Sequence, residues 1–192
     1  MQVTVVRGTH ARNRDRVLLG EGDDVRRVAV HVVHDLPHLV VESVFDITDG
    51  LWAELAAGGH VEANRAASAR DPKHQKRGRI VSGAVTGAET GEWLSAGHRL
   101  AKTVTNCVIN RWGEGPDSPH GVRARLAQQD DPGVATLLER VDDETIAIAI
   151  RGVRDVQRHW QQTPPGGTLR LSWPLSFRRL EQLAARPTAS RE

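Results

Sequence analysis

The stretch Arg26-Arg-Val-Ala-Val-His-Val-Val-His-Asp-Leu-Pro-His-Leu-Val-Val-Glu42 changes its hydrophobic period partway along, and that change decides the fold class. At its start Val28, Val30 and Val32 alternate with Arg27, Ala29, His31 and Val33, the two-residue period of a strand with one apolar face. Beyond Pro37 the apolar residues Leu39, Val40, Val44 and Phe45 recur at helical steps. A strand over 26–33 feeding a helix that starts near His34 is the expectation. Proline fixes the helix start, because inside a helix its ring clashes with the carbonyl four residues back and it has no N–H to give, so Pro37 is expected in the first turn.

Upstream, Val3–Val6 and Arg16–Leu19 are short and rich in branched apolar residues, with turn material at Gly20-Glu-Gly-Asp-Asp24. With 26–33 they read as an antiparallel meander. Downstream, 48–57 reads as a short helix stopped by Gly58-Gly59, and a long helix is expected from Glu89 to Trp112, carried by Trp93, Leu94, Leu100, Ala101, Val104, Cys107 and Val108. Ser118-Pro119 supplies a cap and a proline allowed at the first helical position, opening a short helix through Leu126. Leu137, Leu138, Val141, Ile146, Ile150, Val153 and Trp160 mark a second long helix over 134–161, with Thr145–Ile150 also compatible with a strand. Pro164-Pro-Gly-Gly167 turns the chain into a closing strand over 168–173. The expected fold is α+β: a small antiparallel sheet, made of the N-terminal meander and the C-terminal strand, packed on two long helices.

Three histidines and two carboxylates, His31, His34, Asp35, His38 and Glu42, fall within one short segment of this strand-to-helix transition. His34-Asp35-Leu-Pro-His38 has the spacing of the H-E-x-x-H signature, with aspartate in place of glutamate, and two histidines four apart on one helix face are able to share a metal ion. In that reading His34 and His38 are ligands of a divalent metal such as zinc. Asp35 takes the proton of a metal-bound water, and His98 on the long helix is the outside ligand, with His31 as an alternative. Glu42 lies about 12 Å along the helix axis from His34, too far for the same ion, and is expected to orient His38 from behind. The competing reading gives Asp35 to the helix start, where aspartate is a preferred cap and the spacing is an accident.

His34-Asp35-Leu-Pro-His38-Leu-Val-Val-Glu42 and the late Trp160-Gln-Gln-Thr-Pro-Pro-Gly-Gly-Thr-Leu-Arg-Leu-Ser-Trp-Pro174 together resemble a group of short, uncharacterised actinobacterial proteins with an H-D-x-x-H-x-x-x-E helix and a P-P-G-G turn into a closing strand. Pro37 departs from the small or aliphatic residue usual there. The resemblance implies the architecture and groups His34, Asp35, His38 and Glu42 as a unit. It implies no substrate.

Composition bounds the alternatives. A chain of 192 residues is long enough to bury a core without disulfides, so one domain over 1–185 is expected, with a basic loop at 62–80 and a disordered tail at 186–192. Cys107 is the only cysteine, which excludes an internal disulfide and a thiolate-rich zinc site, and its place on an apolar stripe argues against a nucleophile. No stretch approaches the roughly 20 apolar residues of a membrane span and no leader is recognisable, so a cytoplasmic protein is expected. A formal charge of +2 gives no global case for nucleic acid. Anion or nucleic-acid binding through Arg65, Arg70, Lys73, Lys76, Arg77 and Arg79 is the third reading, weakened by the absence of aromatics between these residues. The leading expectation is a metal-dependent hydrolase acting on a small-molecule or peptide substrate. The alternative is a noncatalytic interaction protein in which the same residues build a helix start.

Overall fold

The computed structural model describes residues 1–9, 15–28, 30–58, 95–111, 113 and 115–175. The basic 62–80 segment, the 186–192 tail and the proposed helical residues 89–94 lie outside them.

Four strands, β1 (Gln2–Val6), β2 (Arg16–Leu19), β3 (Arg26–Val28) and β4 (Thr168–Ser172), form one antiparallel sheet in the order β3-β2-β1-β4. The meander thus gains its fourth strand from the far end of the chain, with Val3 opposite both Leu19 and Leu171. Alternation puts Val3, Val5, Val17, Leu19, Val28, Leu169 and Leu171 on the buried face. The turn into β4 is tied to Arg7, just past β1: Gly166 N donates to Arg7 O at 3.0 Å and Arg7 N donates to Gly167 O at 2.9 Å. The positive φ of Gly166, 78°, is a conformation that favours glycine.

Helices α1 (Val32–Val44), α2 (Leu51–Ala56), α3 (Ala96–Val108), α4 (Pro119–Ala127), α5 (Pro132–Arg140) and α6 (Asp143–Gln162) supply the other layer. Helix α1 is central. It packs most extensively on α6, and also on α2 and α3, with Leu36, Leu39, Val40 and Val41 fully buried. The α+β class and the sheet composition follow the sequence expectation. No helix among the described residues is long and apolar enough to cross a membrane.

Several boundaries differ from the pattern-based expectation. Strand β3 stops at Val28 and helix α1 already begins at Val32, so the valines after Val30 belong to the helix. Pro37 is consequently the sixth helical residue, past the first turn. The carbonyl it leaves without a helical partner is that of Val33, whose residue is 60% exposed, so the loss falls where water replaces the bond. The helix expected over 134–161 is two helices. Asp142 accepts from Thr145 N at 2.8 Å as the cap of α6, which also settles Thr145–Ile150 as helix. Helix α3 begins after Ser95, whose Oγ accepts from His98 N at 3.0 Å, and ends at Val108, short of Trp112.

Candidate functional site

The start of α1 is built by Asp35. Its Oδ2 accepts from the backbone N–H of the N-cap residue His31 at 2.6 Å, the reciprocal half of a capping arrangement, and its Oδ1 stands 2.7 Å from Nδ1 of His34. Its backbone carbonyl accepts from the indole Nε1 of Trp52 at 2.9 Å. Both carboxylate oxygens are therefore engaged. Asp35 holds the His34 ring by one nitrogen and leaves Nε2 as the available one, the relation in which a carboxylate orients a metal-binding histidine. His31 is exposed and contributes backbone to this junction.

One and two turns further, His38 is 4% exposed and Glu42 1% exposed. Burial pushes His38 down to about 4, with Asp35 opposing and His34, His98 and Lys102 adding to the shift, so the ring is neutral at physiological pH. Burial pushes the Glu42 carboxyl up to about 8, against the pull of the Ala53, Trp52 and Leu51 N–H groups, with Glu54 adding to the rise. Glu42 caps α2 from outside that helix: its Oε2 accepts from Trp52 N at 2.9 Å and Ala53 N at 3.3 Å. Gly50 is required there, since a Cβ would stand 2.3 Å from Cδ of Glu42. Nδ1 of His38 and Oε1 of Glu42 are buried without a hydrogen-bond partner among the described residues.

Helix α3 is attached by a parallel device. Asp49 Oδ2 accepts from Gly97 N at 2.9 Å, Ser95 Oγ donates to Asp49 O at 2.5 Å, and a Cβ on Gly97 would run into the Asp49 carboxylate. This fixes His98 against α2, with its Nδ1 3.9 Å from Oε2 of Glu54. Burial lowers the pKa of His98, with Asp35 and Asp49 opposing and Lys102 adding. Burial raises that of Glu54, helped by the charge of Asp49 and opposed by a Ser95 hydrogen bond.

The structure thus brings His34 and His38 together, ring centres 5.4 Å apart. It sets His98 within electrostatic range of His38 and Asp35, and it commits Glu42 to α2 instead of to orienting His38. Among the described residues, no three His, Cys, Asp or Glu side chains already stand close enough to hold a metal ion. Two imidazoles on one tetrahedral zinc, at about 2.0–2.1 Å per Zn–N bond, have ring centres about 5 Å apart, so the spacing of the α1 pair fits a shared ion. Cys107 is fully buried and its thiol is pushed up to about 11 by burial, with Arg125 opposing, as suits an inert core cysteine.

Pattern reading missed Glu54, Asp49 and Trp52. Asp49 and Trp52 flank Gly50-Leu51, at a helix start that reads as ordinary material, and their partners are distant in sequence. No protein-family model, curated protein or solved structure matches the chain.

Proposed function

We propose that this protein binds a divalent metal, zinc being the reference case, through His34 and His38, and that the centre serves hydrolase-type chemistry on an amide or ester. The observation that carries the reading is His38: a buried, neutral imidazole with an unpartnered nitrogen, one turn from a histidine whose other nitrogen is already held by a carboxylate. Buried polar atoms are nearly always satisfied, so an orphan of this kind calls for a ligand or an ordered water. A bound metal supplies Lewis acidity and an acidified water at such a site. Within the chain, Asp35 orients His34 through one oxygen and holds His31 N through the other, and a role as base for the bound water uses the lone pairs that these two contacts leave open.

The second reading, a noncatalytic helix junction, is favoured by the caps. Asp35, Glu42 and Asp49 each satisfy backbone N–H groups, and these contacts alone account for the acidic residues. They leave the buried Nδ1 of His38 without a partner among the described residues. Calorimetric titration of metal-free, untagged protein with ZnCl₂ separates the two readings. One equivalent bound, lost in both His34→Ala and His38→Ala, is the expected result; no heat of binding in the wild type would leave the junction as the whole explanation.

A further inference from the structure

The sheet has a second face, turned away from the buried one, whose charge the metal reading does not use. With Val3, Val5, Val17 and Leu19 buried, alternation sends Thr4 and Leu18 outward, and the strand register sets Arg170 beside Thr4 and Arg27 beside Leu18 in the same row. Arg16 stands in the next row, opposite Val6. At about 4.8 Å between strands, Arg27 and Arg170 are about 14 Å apart across the face, and Arg16 lies about 7 Å along from the row that they share. All three residues are exposed, and their side chains make no hydrogen bond or ion pair with another described residue. None of the four strands holds an aspartate or a glutamate. The adjoining carboxylates sit in connections: Asp15 accepts from Gly8 N at 2.9 Å, and Glu21, Asp23 and Asp24 fall in the turn between β2 and β3. A chain with a formal charge of only +2 thus gathers three arginines on one flat face with no carboxylate between them.

We infer that this outer face binds the phosphate backbone of a nucleic-acid duplex, with Arg16, Arg27 and Arg170 as the phosphate contacts. The inference is independent of the metal reading. Charge complementarity names the occupant: a guanidinium fork matches the oxygens of a phosphate, and the hydroxyls of Thr4, Thr168 and Ser172, on the same face, are neutral donors of the kind that position a backbone. The apolar part of the face is Leu18 and Val6, with no aromatic ring in any of the four strands. A single strand therefore finds no platform for its unstacked bases, whereas a duplex keeps its bases stacked and presents phosphates to a flat surface. Binding of this kind is sequence-independent. Protection of open sheet edges accounts for arginines on β3 and β4, the edge strands, but not for Arg16 on the inner strand β2.

The test is fluorescence anisotropy of a labelled DNA duplex of about 20 base pairs, titrated with the full chain in EDTA at salt concentrations from about 50 to 200 mM NaCl. Three phosphate contacts predict a slope of log K against log salt of about −2.7, which is about fortyfold weaker binding across that range. Arg16→Gln, Arg27→Gln and Arg170→Gln should each reduce the slope by about 0.9, and the triple variant should lose salt-dependent binding while melting like wild type. Arg151→Gln, at an exposed arginine of α6, removes the same charge elsewhere and should leave the slope unchanged. If the triple variant aggregates, the three single slopes carry the decision. Duplex binding that survives in the triple variant, or that is lost instead when Lys76, Arg77 and Arg79 become alanine, overturns the inference, as does tighter binding of the single strand than of the duplex. No binding by the wild type at the lowest salt overturns it too, and leaves the metal reading untouched because every arm is run without metal.

Discussion

Beside the two ends of α3 the Arg125 side chain and the His38–Glu42 pair are buried in opposite ways. At the C-terminal end Arg125, 4% exposed, sends Nε and Nη2 to the Cys107 carbonyl at 3.1 and 3.0 Å and Nη1 to the Pro116 carbonyl at 3.2 Å, with the Asp117 carboxylate 4.0 Å away. A guanidinium with its donors spent on the Cys107 carbonyl in the last turn of α3 and on the Pro116 carbonyl in the loop before α4 is a structural fastening, favoured further by the negative end of the helix dipole. At the N-terminal end His38 and Glu42 are as deeply buried, yet each keeps a polar atom with no partner among the described residues. Thr105 Oγ1 and Asn110 Oδ1, near the C-terminal end of α3, are buried and unpartnered among the described residues as well, so an orphan atom alone does not mark a binding group; what sets the His38–Glu42 cluster apart is that both of its orphans belong to ionisable side chains, whereas the buried ionisable group at the other end, Arg125, is fully engaged.

The contrast is broken most directly at Arg125. Arg125→Ala leaves the Cys107 carbonyl only the longer bond from Asn110 N at 3.3 Å, takes the guanidinium donor from the Pro116 carbonyl and empties the buried space of the side chain, and a loss of about 3 kcal/mol is expected, read as a fall in the urea midpoint. Metal affinity should be untouched, since the two clusters share no residue. An Arg125→Ala protein as stable as wild type would show that this end of α3 is no more constrained than the other.

At the open end, stability should depend on pH in two opposed ways. The folded-state value of Glu42, about 8, lies above its ordinary 4.5, so the stability carried by its neutral form is full below about 4.5 and is lost as pH rises through 8. The folded-state value of His38, about 4, lies below 6.5, so its contribution is full above 6.5 and is lost as pH falls toward 4. Urea unfolding in EDTA should therefore show Glu42→Gln losing less stability than wild type between pH 6 and pH 9, and His38→Gln losing less between pH 6 and pH 4. Glu42→Ala, which removes the cap of α2 altogether, should cost about 2 kcal/mol near pH 4, and the cost should shrink as pH rises toward 8 because only the wild type loses stability over that range. Identical slopes in wild type and Glu42→Gln would mean that this carboxyl is charged at neutral pH.

How much of this was legible in the sequence follows from the range of the interactions. Ser118-Pro119 and Pro164-Pro-Gly-Gly167 act within a few residues, and both ended where the structure has a helix start and a turn into β4. The strand-to-helix switch was legible in kind but misplaced. Val32 and Val33 alternate as well as any strand residue, and what recruits them to α1 is the bond from His31 N to the Asp35 carboxylate. The break at Asp142 had a local signal, an aspartate three residues before a threonine, that the continuous apolar stripe across 134–161 concealed. The attachments of Glu42 to Trp52 and Asp49 to Gly97 span 10 and 48 residues, and no local pattern announces a glycine whose role is to leave room for a distant carboxylate.

Asp35 gives the smallest effect and the finest discrimination, because both readings of the α1 segment need it. As a helix-start residue it requires an oxygen for His31 N, which asparagine provides about as well as aspartate, so Asp35→Asn should stay within about 0.5 kcal/mol of wild type while Asp35→Ala loses about 1 kcal/mol. As the carboxylate behind His34 it requires a second acceptor for the ring N–H at Nδ1. Asparagine must turn either its only carbonyl or its amide N–H₂ toward that nitrogen, and with the carbonyl on His31 the amide favours the tautomer that places the proton on Nε2. Metal binding through Nε2 then has to reverse that preference, and outer-shell changes of this kind cost tenfold or more in affinity. Asp35→Asn should therefore melt like wild type in EDTA and bind zinc at least tenfold more weakly. If it binds zinc as wild type does, His34 needs no carboxylate behind it and Asp35 belongs to the structural end of the comparison, beside Arg125.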